Sequence, residues 1–239
     1  MRRFKNEKYN QMSSVNHQFK AEAVDTSGDT LDLTIYGDIG ESWWYDSTSA
    51  KDIEDALKGT SASQIIVHLN SPGGDVFDGI AIYNQLKNHS AKVIVQVDGL
   101  AASAASLIAM AADELIMNTG SMLMIHEAST WAWGTKHDIR KTLNALEGID
   151  KSIADIYMTR YKGERSEIDT MITNETWLTA SEAVEVGLAD RVNEDTADDN
   201  EELDPEEFKN KVLAKFRKQK EPISASNKNI LERFRRNQQ

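Results

Sequence analysis

The sequence predicts an α/β domain over roughly residues 29–193, and three observations carry that prediction. Short apolar segments with strand character alternate with helical patterns along this span. One of them, QIIVHLN (64–70), runs straight into the glycine turn SPGGD (71–75) and then a helical pattern. Another, KVIVQVDG (92–99), runs into a turn made almost wholly of Ala and Gly. Consecutive strand–turn–helix units of this kind form open sheets with their turns gathered at one edge, where such sheets bind ligands.

Each element has a local reason. LDLTIYGDI (31–39) alternates Leu31, Leu33 and Ile35 on one side, as a half-buried strand does. STSAKDIEDALKG (47–59) sets Ile53, Ala56 and Leu57 on one helical side, with Gly59 as the stop. Residues 64–70 form a continuous apolar run of the kind found in buried strands. In 76–88, Val76, Ile80, Tyr83 and Leu86 fall at helical spacing. ELIMN (114–118) and MLMI (122–125) read as short strands. Residues 137–160 form a long amphipathic helix through Ile139, Leu143, Leu146, Ile149, Ile153 and Ile156. TASEAVEVG (179–187) opens on a capping box, Thr179 with Glu182, and closes at Gly187.

The flanks differ in character. Residues 1–28 are polar and aperiodic and read as a flexible arm. Residues 194–207 are dominated by Asp and Glu, and 209–236 are rich in Lys and Arg. The expected organisation of 194–239 is an acidic linker followed by a basic helical (206–218) and then disordered tail, solvated rather than dedicated to a partner.

Composition excludes several functions. With a net charge of −12, the 239-residue chain is not expected to bind nucleic acid by electrostatic attraction. It has no cysteine, which removes disulfides, thiolate metal sites and Cys nucleophiles together and fits a reducing compartment. The basic N-terminus is followed by no apolar run, so no secretory signal is expected. The most apolar window, 99–117, carries Asp113 and Glu114, so no membrane span is expected either.

DGLAASAASLIAM (98–110) poses the chemical question, because small residues fill a core poorly yet surround two serines, Ser103 and Ser106. Small side chains clear space for a substrate backbone to approach a hydroxyl at the mouth of a helix. A serine hydroxyl needs a base to become a nucleophile. Of the five histidines, His17 lies in the arm, His89 in a polar loop and His68 inside a strand. His137 opens the long helix, whereas His126 ends a strand and is the best-placed base. The glycines of SPGG leave backbone amides uncovered, suited to a phosphate or to an oxyanion hole. The spacing is not that of a phosphate loop.

Four blocks, LNSPGGDVFDGIAIYNQL, DGLAASAASLIAMAA, MLMIHEA and WLTASEAVEVGLAD, occur in an order and spacing that resemble the Clp protease proteolytic subunit family. The resemblance implies a Clp protease/crotonase-like spiral of β-β-α units with a protruding handle helix at 137–160. It implies Ser103 as nucleophile, His126 as general base, and the amides of Gly74 and Ala104 as the oxyanion hole. It puts Glu175, in NETWLTASEA, where the family usually carries Asp, with Asn174 and Asp169 as nearby substitutes. Ser106 has no counterpart and reads as packing or helix N-terminal bonding. No metal or organic cofactor is implied. The expected partners are further copies of the chain, in rings of seven that can stack, and protein substrates bound extended beside residues 121–127 or the glycine-rich edge. The segment 35–57 looks like variants encoded by tailed phages, which implies head-maturation proteolysis of capsid and scaffold precursors in the host cytoplasm or prohead. The competing expectations are a housekeeping subunit with an ATP-driven Clp unfoldase, a crotonase-like acyl-CoA enzyme, and an inactive assembly protein. Trp131 and Trp133 stand where they would serve substrate docking, ring contacts or local packing.

Overall fold

Alternation organises the molecule. The computed structural model describes residues 15–24, 28–42 and 46–193, so the expectations for residues 1–14 and for the tail at 194–239 lie outside the described residues. Strands β1 (Gln18–Ala23), β2 (Thr30–Ile39), β3 (Gln64–Gly74), β4 (Lys92–Ala102), β5 (Glu114–Asn118) and β8 (Arg191–Asn193) lie side by side in that order. Strands β6 (Met122–Ile125) and β7 (Thr176–Thr179) extend the sheet from the far end of β4. Pairing is parallel from β2 through β8, while β1–β2 and β6–β7 are antiparallel. The chain is therefore a mixed α/β protein, as the strand–helix alternation predicts.

Register brings the apolar residues into rows. Leu33, Val67, Val95 and Leu115 stand abreast, as do Ile35, Leu69, Val97 and Met117. All eight are buried. Helices α2 (Val76–Lys87) and α3 (Ala104–Ala109) follow β3 and β4 and add Ile82, Leu86, Leu107 and Ile108 to the core. The opposite side of the sheet is only half buried, including Ile66, His68, Gln96 and Asp98. β3 thus alternates in burial, whereas its continuous apolar run predicts a strand buried on both sides.

Two boundaries differ from expectation in ways that matter for the site. β3 continues through the SPGG turn to Gly74, because Asp38 and Ile39 of β2 still pair with Gly73 and Gly74. β4 does not stop at Asp98-Gly99 but runs on to Ala102. Its first half (94–97) pairs with β5, and its second half (100–102) pairs with β6. Between Val97 and Leu100 the strand passes from one neighbour to the other, which brings its end alongside β6.

The remaining helices are α1 (Ala50–Leu57), α4 (Lys136–Tyr157), α5 (Arg165–Thr173) and α6 (Ala180–Glu185). α1 is shorter than predicted because Ser49 caps it in a capping box with Asp52. α6 has the predicted Thr179–Glu182 capping box. α5 and β7 were not anticipated. Nor was β1, which lies within the segment read as an arm and pairs with β2 from Gln18–Tyr36 to Ala23–Leu31. α4 is buried only at its C-terminal end, at Ile153, Ala154, Ile156 and Tyr157. Its leading half exposes Ile139 and Leu143. No described helix is long and apolar enough to cross a membrane.

Candidate active site

The end of β4 and the end of β6 are tied together before any side chain is considered, because the Ser103 amide donates to the Met124 carbonyl at 2.9 Å. That backbone bond sets Ser103 beside the residue that follows β6, His126. Ser103 Oγ and His126 Nε2 lie 2.8 Å apart, an ordinary hydrogen-bond distance. On the other side of the ring, His126 Nδ1 is 3.8 Å from Glu175 Oε2. That separation is an ion-pair distance, longer than a hydrogen bond. The His126 and Glu175 side chains are only 12% and 4% exposed, so this contact is shielded from water. The second Glu175 oxygen accepts from the Trp177 indole nitrogen at 3.4 Å.

Backbone strain marks the same residues. Among the described residues, only Ser103 (φ 55°) and Glu175 (φ 51°) are non-glycine residues with positive φ. Such conformations cost on the order of 1–3 kcal/mol each and persist where the surroundings over-determine them. Ser103 adopts its conformation (ψ −125°) at the sharp passage from β4 into α3. Glu175 adopts its own just after α5, where Asn174 caps the helix and the Glu175 amide donates to the Ile172 carbonyl at 3.1 Å. Glycine usually occupies that left-handed position.

The glycine turn closes on this site. A β-carbon at Gly73 (φ 86°) would sit 2.7 Å from Ser103 Cβ and 2.8 Å from the Ala104 nitrogen. One at Gly74 would sit 2.0 Å from the Ile39 carbonyl oxygen. Neither position has room for a side chain, so both residues must be glycine for the strand end to lie against the Ser103–Ala104 turn. The Gly73 amide donates to Ser71 Oγ at 3.0 Å.

The structure therefore brings together Ser103, His126, Glu175, Ala104 and the Gly73–Gly74 turn. It does not bring in the other candidates. Asp169 is held by Arg165 at 2.9 Å on the exposed side of α5, and Asn174 is an exposed helix cap. His68 engages Asp98 at 3.1 Å on the half-buried side of the sheet. Ser106 donates its hydroxyl to the Ser103 carbonyl at 2.6 Å and contacts Tyr157 OH at 2.6 Å. Sequence reasoning missed Trp177 and Tyr157. Trp177 lies two residues past Glu175 on β7, and Tyr157 lies one turn beyond Ile153 on α4.

Substrate access also differs from expectation. β6 pairs with β4 on one edge and β7 on the other, so no strand can add beside residues 122–125. The segment just past it has a fixed start, where the Ala128 amide donates to Asp150 Oδ1 of α4 at 2.8 Å. Trp131 and Trp133 follow at 80% and 94% exposure, so neither is packed among the described residues.

Comparison with known proteins gives this arrangement its context. The family described as Clp protease matches residues 49–196, more than half of the chain. The ATP-dependent Clp protease proteolytic subunit 1 of Chlamydia abortus is 34% identical over 141 residues, covering 57% of this chain and 73% of its own. Its namesake in Protochlamydia amoebophila is 32% identical over 160 residues, covering 59% and 78%. The ATP-dependent Clp protease proteolytic subunit 3 of Rhodococcus jostii is 31% identical over 130 residues, covering 54% and 64%. A match of this extent, over the whole span from α1 to the end of the described sheet, means that the chain belongs to the Clp protease family.

Proposed function

We propose that this chain is a serine endopeptidase. The observation that carries the reading is the 2.8 Å approach of His126 Nε2 to Ser103 Oγ at a strained turn. In this reading Nε2 accepts the Ser103 proton, which leaves the other ring proton on Nδ1, facing Glu175. Ser103 Oγ attacks the peptide carbonyl carbon as His126 takes its proton, a role that contributes roughly 10²–10⁴-fold in rate. The oxyanion forms against the amides of Gly74 and Ala104, each such donor being worth about 2.7–4 kcal/mol to the transition state. Collapse expels the amine, which takes the proton from His126. Water, deprotonated by the same imidazole, then releases the acyl group from Ser103. Glu175 orients His126 and balances its transient charge. Substrate lies extended past the end of β6, between residues 127–130 and the glycine turn, held by backbone hydrogen bonds that tolerate many sequences.

The natural setting is proposed as phage head maturation, with capsid or scaffold precursors as substrates and the enzyme working as a cyclic homo-oligomer. The phage-like segment 35–57 and the acidic-then-basic tail support this. The relatives' names, ATP-dependent proteolytic subunits, support a second setting in which an unfoldase delivers substrate.

Cleavage of fluorogenic peptides by wild type, Ser103→Ala and His126→Ala tests the chemistry. Both variants are expected to fall to background while keeping wild-type melting temperatures. Undiminished cleavage by Ser103→Ala would assign the cleavage to a contaminating protease and favour a crotonase-like acyl-CoA enzyme or an inactive assembly protein. The setting is read separately. Trimming of a co-expressed capsid precursor supports maturation, and stimulation of peptidase activity by a Clp unfoldase supports the housekeeping role.

A further inference from the structure

The peptide unit joining Ser103 to Ala104 has its carbonyl at one end and, at the other, the amide read above as an oxyanion donor. Its carbonyl is unusually well held. It accepts from the Ser106 amide at 2.9 Å and from the Ser106 hydroxyl at 2.6 Å. Ser106 Oγ in turn lies 2.6 Å from Tyr157 OH, the last residue of α4. Both side chains are almost fully buried, at 0% and 1% exposure. A hydroxyl has one proton, and a carbonyl can only accept. The Ser106 proton therefore goes to the Ser103 carbonyl, and Tyr157 must be the donor to Ser106. Burial pushes the Tyr157 phenol well above its ordinary range, so that proton stays in place at working pH.

A trans peptide is planar, so fixing the carbonyl direction fixes the N–H direction on the opposite side. Ser103 has no intrinsic preference for φ 55° with ψ −125°, the second of which orients this peptide unit, so something outside the residue must hold it. We infer that Ser106 and Tyr157 are positioning residues: their relay, Tyr157 O–H to Ser106 O–H to the Ser103 carbonyl, aims the Ala104 amide at the oxyanion. Chained hydrogen bonds polarise one another, so the relay also makes that amide a stronger donor. This rests on the reading of Ser103 and Ala104 given above, and it assigns a task to Ser106, for which the family resemblance supplies none.

Tyr157→Phe removes only the first donor of the relay, and Ser106→Ala removes its middle. In the full-length enzyme, Tyr157→Phe is expected to lower kcat roughly tenfold with KM unchanged, a fraction of the 10²–10³-fold lost when an oxyanion donor is deleted. Affinity for a peptide aldehyde, whose adduct oxygen occupies the oxyanion position, should fall by the same factor. Affinity for the non-covalent product peptide should not change. Ser106→Ala should show the same split, and adding Tyr157→Phe to it should cost nothing further. Ser106→Thr, which keeps the hydroxyl, should retain most activity. Wild-type kcat and aldehyde affinity in both Tyr157→Phe and Ser106→Ala would overturn the relay while leaving the serine-protease reading intact. Parallel losses in aldehyde and product-peptide affinity would also overturn it, since they mark general distortion. If Tyr157→Phe does not fold, Ser106→Ala decides alone. A wild-type enzyme whose Ser103 resists a fluorophosphonate probe and cleaves no peptide would overturn both readings.

Discussion

Ser103 and Glu175 share a property that no side-chain list reveals: each holds a left-handed backbone that its residue type disfavours. Strain at two points far apart in sequence, converging on one imidazole, indicates that the surrounding fold has been shaped around His126. Glu175 presents Oε2 3.8 Å from Nδ1 of that imidazole. Glu175→Gln keeps shape and burial but removes the charge that would face the imidazolium. It is expected to lower kcat by about 10²–10⁴-fold with little change in KM or melting temperature. At this scale much was legible. Ser103 stood out because alanines surround it, and His126 because it ends a strand. What could not be read was distance, because the Ser103–His126 approach depends on a backbone bond from Ser103 to Met124 and on the change of partner along β4.

Among the elements, residue alternation made β2 legible, apolar runs bounded by turns made β3 to β6 legible, and cap chemistry placed both ends of α6. The short β7 escaped because its four residues, TWLT, include two threonines, whereas the equally short β6, MLMI, is wholly apolar. β1 escaped because its residues are nearly all exposed and leave no periodic apolar signal. The change of partner along β4 escaped because pairing with two successive neighbours is a property of the sheet, not of the strand. The half-buried side of that sheet carries a polar ladder across five strands. Asp98 accepts from Tyr36 OH at 2.7 Å and from Asn118 Nδ2 at 2.7 Å, and contacts His68 at 3.1 Å. Asn118 in turn accepts from Asn193 at 3.1 Å. Burial first, then the bond to Asp98, push the Tyr36 phenol up from 10.0 to about 12. A folded-state value above the unfolded one means that the stabilisation is complete below the unfolded value of about 10 and is lost as pH rises through 12. Urea midpoints measured from pH 9 to 12 should therefore fall more steeply for wild type than for Tyr36→Phe. Identical slopes would show that the Tyr36–Asp98 bond adds nothing to stability.

At the scale of the molecule, four of the six large hydrophobic side chains exposed among the described residues fall in one stretch: Ile139 and Leu143 on the leading half of α4, with Trp131 and Trp133 just before the helix. An apolar helix stripe left open among the described residues is the kind of surface that meets a partner, which the proposed assembly into rings would supply. Leu143→Asp combined with Ile139→Asp is expected to lower the assembly mass measured by light scattering while leaving the circular dichroism of the protomer unchanged. An unchanged mass would mean that another surface carries assembly. The stripe itself was legible as a helical period, but that spacing equally describes a core helix, and its exposure followed only from the resemblance, which implies a protruding handle at 137–160. The claim on which the rest depends is that Ser103 is a nucleophile activated by His126 in the assembled enzyme. Peptide mapping by mass spectrometry after treatment with a fluorophosphonate tests it most directly. The expected result is a single adduct on Ser103, absent in His126→Ala. An active enzyme that carries no adduct on Ser103, or one equally labelled without His126, would contradict the account.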